Sequence, residues 1–250
     1  MIKTPFLKEV FIENFDFDSN VYPFNIPFVK NNNLHFRINR PVIILVGDNG
    51  TGKSTILESI AKKCGFNTSS GSYHLYDLDE EKMLLDKHLK LIWDIKVSNG
   101  FFLRAESFTN FAKFIDEQAK EFGSFEVYKY YGGKSLNEQS HGESFLSLFA
   151  SRFNQKGIYI LDEPEAALSP TRILSLMSII KNLTDKGNSQ FIIATHSPIL
   201  MAYPYAQLFY IDDDIIKETT YEKTEHYKIS KDFLNNPERY FNYLFDDNGN

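Results

Sequence analysis

The sequence predicts an α/β fold of short buried strands alternating with helices, and three observations carry that expectation. Pro41-Val42-Ile43-Ile44-Leu45-Val46 is an apolar run of strand length. It enters the glycine-rich stretch Gly47-Asp48-Asn49-Gly50-Thr51-Gly52-Lys53-Ser54-Thr55, and Ile56-Leu57-Glu58-Ser59-Ile60-Ala61 leaves that stretch as a helix. Ile158 to Leu161 and Phe191 to Ala194 are two further short apolar runs, separated by a helical stretch near 170–182. Finally, 42% hydrophobic residues in a chain of 250 are ample for a sizeable core, in one large domain or two small ones.

The remaining elements follow in order. Leu34-His35-Phe36-Arg37-Ile38 alternates apolar and polar as a half-buried strand does, within a segment punctuated by Pro23, Pro27 and Pro41. The helix after the glycine-rich loop runs to about Cys64, with Gly65 as its C-cap. Residues 66–81 read as a loop. Leu91 to Val97 and Phe101 to Ala105 flank Ser98-Asn99-Gly100, which predicts a hairpin. Phe108, Phe111, Phe114, Ile115 and Ala119 fall near helical spacing, a polar loop covers 132–140, and Phe145 to Phe153 is a further helix. Leu208 to Ile211 is a strand, and Asp212-Asp213-Asp214 the turn after it. Asn236-Pro237-Glu238 opens a last helix, with Asn as cap and Pro at the first helical position.

Bulk properties exclude several classes. A net charge of −6 with no dense Lys/Arg run argues against a general nucleic-acid coat. Cys64 is the only cysteine, so neither an intrachain disulfide nor a Cys-based zinc site can form. No run approaches 18 apolar residues and the N-terminus lacks a signal-peptide core, so the expectation is a cytoplasmic protein without direct membrane insertion. The acidic run from Asp77 to Glu81 reads as a solvated face.

Four motifs carry chemistry. Gly47 to Thr55 fits G-x-x-x-x-G-K-[S/T]. Its backbone N–H groups and the helix N-terminus cradle phosphate, Lys53 reaches the β- and γ-phosphates, and the Ser54 hydroxyl takes a Mg²⁺ position. Ile158-Tyr159-Ile160-Leu161-Asp162-Glu163-Pro164-Glu165 is an apolar strand ending in acids. Asp162 is placed to hold Mg²⁺, and Glu163 to orient and deprotonate a water. Gln139-Ser140-His141-Gly142-Glu143-Ser144 precedes an apolar helix; on its own it is a capping box of Ser140 with Glu143, or a phosphate site. Thr195-His196-Ser197 follows a strand, where an open α/β sheet has its ligand crevice.

In this order the motifs resemble the nucleotide-binding domains of the ABC-type ATPase superfamily. The similarity extends over nearly the whole chain, and is strongest to small stand-alone ATPases related to chromosome-maintenance and repair heads. The resemblance implies a P-loop NTPase fold with an ABC-type core sheet, an antiparallel β subdomain and a small helical lobe near 107–145, all in a single domain, 1–250. It implies ATP and Mg²⁺ as cofactors, bound by Gly47, Asn49, Gly50, Thr51, Gly52, Lys53, Ser54 and Thr55, with Asp162 as the Mg²⁺-associated acid. Glu163 becomes the catalytic base and His196 the γ-phosphate switch. Ser140 and Gly142 match the signature that closes over ATP on a second subunit, and Ala167-Leu168-Ser169 the loop that works across that dimer. Glu106 stands at the glutamine-loop position, where it can serve the metal. The signature departs from the usual Leu-Ser-Gly-Gly-Gln in having His141 in place of a glycine. Phe24 and Phe28 are the candidates for stacking on adenine.

The expected function is therefore Mg-dependent ATP hydrolysis coupled to ATP-sandwiched homodimerisation, a switch acting on a protein partner or, with weaker support, DNA. Two alternatives stand beside it: the ATP-binding subunit of a membrane transporter, and a non-hydrolysing nucleotide-gated scaffold. Glu163 counts against the scaffold. The unusual signature and Glu106 count against the transporter.

Overall fold

The computed structural model describes residues 4–13, 18–66, 85–138, 141–152, 156–212 and 214–245. Within them the strands are β1 (Leu7–Ile12), β2 (His35–Arg37), β3 (Val42–Val46), β4 (Leu89–Trp93), β5 (Gly100–Arg104), β6 (Gly157–Asp162), β7 (Ser189–Ala194), β8 (Ala206–Ile211) and β9 (Ile216–Thr219). The helices are α1 (Pro27–Lys30), α2 (Lys53–Lys63), α3 (Leu85–His88), α4 (Phe108–Phe122), α5 (Ser124–Tyr128), α6 (His141–Arg152), α7 (Pro170–Asp185), α8 (Pro198–Met201), α9 (Glu225–Asn235) and α10 (Pro237–Phe245). The loop expected at 66–81 and the acidic run at 77–81 lie almost wholly outside the described residues, as do Ser140, Phe153 and Asp213.

Two sheets organise the chain. The larger has the order β5-β6-β7-β3-β8-β9; its first five strands are parallel and β9 returns antiparallel from β8. The smaller, β2-β1-β4, is antiparallel. Every residue of β3, β6 and β7 is buried, which explains why these strands read as unbroken apolar runs rather than alternating ones. Their successive side chains serve opposite faces. Ile43, Leu45, Ile158, Ile160 and Ile192 join a core with Ile56, Leu57 and Ile60 of α2 and with residues of the small sheet. Val42, Ile44, Tyr159, Leu161, Phe191 and Ile193 join a second core with α4, α6 and α7. Helix α4 faces that core with Phe108, Ala112, Ile115 and Ala119, at the 3–4-residue spacing of one helical stripe.

The expected hairpin around Asn99-Gly100 does not form. β4 belongs to the small sheet and β5 pairs parallel with β6 in the large one. Gly100 is there for close packing and not for a turn: a Cβ would lie 2.1 Å from both the Ile158 carbonyl oxygen and the Phe66 ring. A glycine that admits a neighbouring backbone looks the same in sequence as a turn glycine. The other punctuation holds. Cys64 ends α2 with Gly65 at φ 82°, and the Asn236 side chain accepts the Arg239 N–H at 3.3 Å where α10 begins.

Two buried glutamines join the sheets. Gln190 of β7, fully buried, accepts the backbone N–H groups of Phe6 and Leu7 at 2.8 and 2.9 Å and donates to the Leu7 carbonyl at 3.0 Å. Gln207 of β8 accepts from the Asn39 N–H at 2.8 Å and donates to the Arg37 carbonyl at 3.1 Å. Each primary amide offers one acceptor and two donors, enough to satisfy main-chain groups that the small sheet's own ladder leaves free. Replacing Gln190 by Leu strands three buried backbone groups, so Gln190→Leu is expected to lower stability by about 3 kcal/mol, read as a drop in urea midpoint.

Candidate functional site

The parallel register lines up the site. Leu45 of β3 pairs with Ala194 of β7, Ala194 with Asp162 of β6, and Asp162 with Arg104 of β5. The residues that follow these strand ends therefore open on one carboxyl edge. They are the glycine-rich loop after β3, Glu163 after β6, Thr195-His196 after β7 and Glu106 after β5.

The loop from Gly47 to Gly52 wraps the first turn of α2. Gly52 caps the helix at φ 88° in the left-handed region, and a Cβ there would press on Phe28 at 3.0 Å, so the position takes glycine on both counts. The Thr51 hydroxyl donates to the Asp48 carbonyl at 2.9 Å and tightens the loop. Lys53, only 4% exposed, folds its ammonium back onto the Gly47 and Asp48 carbonyls at 2.8 and 2.7 Å. Burial holds the Lys53 ammonium below the usual lysine range, opposed by Glu163 and Asp162. Asn49, Gly50, Gly52, Lys53, Ser54, Thr55 and Glu163 line a cavity of about 200 Å³.

A second cavity, of about 270 Å³, shares Ser54 and Glu163 with the first and adds Arg104, Glu106 and Asp162. Asp162 is 2% exposed and both of its oxygens are engaged. Oδ1 accepts from the Ser54 hydroxyl at 3.1 Å, and Oδ2 from the Arg104 Nε–H at 2.9 Å. Arg104 turns its other guanidinium arm onto Glu58 of α2. Ser54 and Asp162 thus present adjacent hard oxygens, the donor type Mg²⁺ takes together with phosphate oxygens and water. Glu106 shares their cavity, but no cluster of three His, Cys, Asp or Glu side chains with metal-site geometry occurs among the described residues.

Glu163 sits at φ 50°, ψ 52°, a left-handed conformation that costs a non-glycine residue about 1 kcal/mol or more. The Glu163 N–H bonds to the Ala194 carbonyl at 3.0 Å and holds it there. Its carboxyl is raised above the usual glutamate range by burial, then by Asp162 and Glu165, a shift toward proton acceptance near neutral pH. His196 places Nε2 3.5 Å from Glu163 Oε1 without forming a hydrogen bond; that nitrogen is buried and unpaired. Burial, then the Lys53 charge, lowers the imidazole to about 4, so it is neutral at physiological pH.

Several residues gain importance only in three dimensions. Arg104, two residues before Glu106, is the cationic partner of Asp162. Glu165 accepts the His196 and Ser197 backbone N–H groups at 2.5 and 3.1 Å, clamping the strand exit. Tyr22, 45% exposed, lines the phosphate-loop cavity and bonds the Thr55 hydroxyl at 2.5 Å. Phe24 and Phe28, expected to stack on a base, are instead 5% and 1% exposed and belong to the core. A run rich in aromatics does not reveal which ring faces out. Gly142 opens α6 beneath Arg172 of α7, whose guanidinium would lie 2.3 Å from a Cβ there; Ser140 is outside the described residues.

Removing the guanidinium leaves Glu58 and the buried Asp162 without it. Arg104→Ala is expected to cost about 1–3 kcal/mol, and Arg104→Lys less, measured by denaturant titration.

The chain is similar to known proteins in both sequence and fold. The family described as "AAA domain, putative AbiEii toxin, Type IV TA system" matches residues 87–202, and a second, described as "AAA domain", matches residues 19–74. The xylose/arabinose import ATP-binding protein of Sulfolobus acidocaldarius is 28% identical over 191 residues, 69% of this chain and 73% of that protein. The nucleoside import ATP-binding protein of Lactococcus lactis is 28% identical over 68% of this chain, which spans only 36% of that relative's length. In fold, the chain is similar to an ATP-binding cassette of an ABC transporter solved in its ADP conformation. The TM-score is 0.51 at 16% identity, covering 96% of this chain and 98% of the cassette. No described helix is long and apolar enough to cross a membrane. Sequence relatives and fold agree: the chain has the P-loop NTPase fold and is similar to AAA domains and ABC-type ATP-binding proteins.

Proposed function

We propose that this chain binds and hydrolyses Mg-ATP, that two copies close around the bound nucleotides, and that the cycle drives a switch on a protein partner or DNA. The observation that carries this reading is the convergence of Lys53, Ser54, Asp162 and Glu163 on two cavities sharing Ser54 and Glu163, with His196 Nε2 3.5 Å from Glu163 Oε1. A phosphoryl-transfer transition state spreads negative charge over its oxygens and asks mainly for positioning and counter-charge. The loop N–H groups and Lys53 supply that charge once Lys53 leaves its carbonyl contacts for phosphate. The unpaired Nε2 of His196 supplies one more contact. Ser54 and Asp162 would hold Mg²⁺, with Glu106 beside them; the metal, when bound, offsets charge on the β- and γ-phosphates. Glu163, with its raised proton affinity, takes the proton of the attacking water. Tyr22 replaces the two buried phenylalanines as the ring for the base.

Dimer closure is supported by the signature segment at the start of α6. Gly142 is not among the residues lining either cavity of its own chain. Under this reading Ser140 and Gly142 serve the nucleotide of a second copy, and Ala167-Leu168-Ser169 lies across that contact.

A second reading, the ATP-binding subunit of a membrane transporter, is favoured by one observation: the similarity to import ATP-binding proteins along two thirds of the chain. Capture of an integral membrane protein by the ATP-locked Glu163→Gln chain would select it over the soluble switch.

Lys53→Ala is expected to lower ATP hydrolysis at least about 100-fold, as loss of a main phosphate contact does; a rate equal to wild type would remove the phosphate loop from the reaction. Glu163→Gln is expected to bind ATP without turning it over. In sedimentation velocity it should run as a dimer with Mg-ATP and a monomer without, whereas a monomer under both conditions counts against closure.

A further inference from the structure

His226 carried no expectation from the sequence and belongs to no motif, yet it touches the switch position. It is the second residue of α9, far along the chain from His196. The first turn of that helix is tightly fixed. The Thr224 side chain, on a residue 2% exposed, accepts the Tyr227 N–H at 3.3 Å and donates to the Tyr221 carbonyl at 2.6 Å. From this turn the His226 ring meets the His196 ring at 5.1 Å between centroids, with Nε2 of His226 2.9 Å from Nδ1 of His196. The two outer nitrogens, Nε2 of His196 and Nδ1 of His226, are buried without hydrogen-bond partners.

A 2.9 Å nitrogen–nitrogen contact needs one proton between the rings, and it can come from either side. If His196 donated from Nδ1, a neutral His196 would turn a bare Nε2 lone pair toward the Glu163 carboxylate, 3.5 Å away, and, under the proposed function, toward the γ-phosphate oxygens. Lone pair would then face oxyanion. If His226 donates instead, His196 carries its own proton on Nε2, and an N–H faces those oxygens. Only the second arrangement sets a donor against acceptors.

We propose that His226 is a positioning residue for ATP hydrolysis: from α9 it donates its Nε2–H to Nδ1 of His196, fixing His196 as an Nε2–H donor toward the γ-phosphate oxygens. The proposal rests on the ATP-hydrolysis reading of the site. It gives helix α9 a direct hydrogen bond to the residue proposed to meet the γ-phosphate.

The pair can be tested before any nucleotide is added. In ¹⁵N-histidine-labelled full-length chain, a coupling across the hydrogen bond should join His226 Nε2 to His196 Nδ1, with the proton on His226. A proton on His196 Nδ1, or no coupling, overturns the proposal. In steady-state kinetics His226→Ala should lower kcat about tenfold, the loss of one oriented N–H, and leave the KM for ATP within about twofold. His226→Gln, whose amide nitrogen can reach the Nε2 position, should restore kcat. His226→Asn, too short to do so, should behave like Ala and replaces it if Ala does not fold. Wild-type turnover with an undiminished kcat in both Ala and Asn variants sinks this proposal alone. A wild-type chain that shows the coupling but does not hydrolyse ATP overturns the underlying reading instead.

Discussion

Asp162 is the buried charge on which the site depends. A carboxylate at 2% exposure is costly unless its oxygens are paired, and here the pairing draws three elements together. Ser54 brings the first turn of α2 to one oxygen, and Arg104 brings the end of β5 to the other. Arg104 in turn reaches back to Glu58 on the same helix as Ser54. The result is a closed circuit of helix, β5 and β6 at the sheet edge. The same contacts that make the burial tolerable leave the Ser54 and Asp162 oxygens side by side, as a hard cation requires.

Around that circuit the polar groups of the candidate site are held slightly out of comfort. Glu163 occupies a left-handed backbone conformation and a proton-loving environment. His196 keeps a buried nitrogen unpaired and its ring neutral. Lys53 satisfies itself on loop carbonyls, contacts that a phosphate can replace. Each of these features is costly alone and is understandable if a polyanion completes the set.

The large sheet could be read in the sequence because β3, β6 and β7 are buried on both faces, and such strands announce themselves as apolar runs. The phosphate loop was legible because its chemistry needs fixed residue types at fixed spacing. The small sheet was harder. Its strands are partly exposed, and its attachment runs through side chains of Gln190 and Gln207, which look like ordinary polar residues until their backbone partners are seen. Asn99-Gly100 misled for a related reason, since local turn chemistry gave way to the approach of β6 and Phe66. Tyr22 was lost among neighbouring aromatics because exposure, and not residue type, separates a ring that can meet a ligand from one in the core.

By itself the sequence determined the fold class, and it singled out the glycine-rich loop with Lys53, Ser54, Asp162, Glu163 and His196 as the candidate site, because short-range pattern encodes strand ends, glycine turns and the residues attached to them. Tertiary structure alone decided which distant residues serve those groups. Arg104 on Asp162, Glu165 on the His196 backbone, Tyr22 at Thr55 and His226 on His196 are contacts between remote parts of the chain. No local periodicity carries them, because they arise only when the parallel register and the packing of α9 and of the segment before α1 bring those side chains within hydrogen-bonding distance.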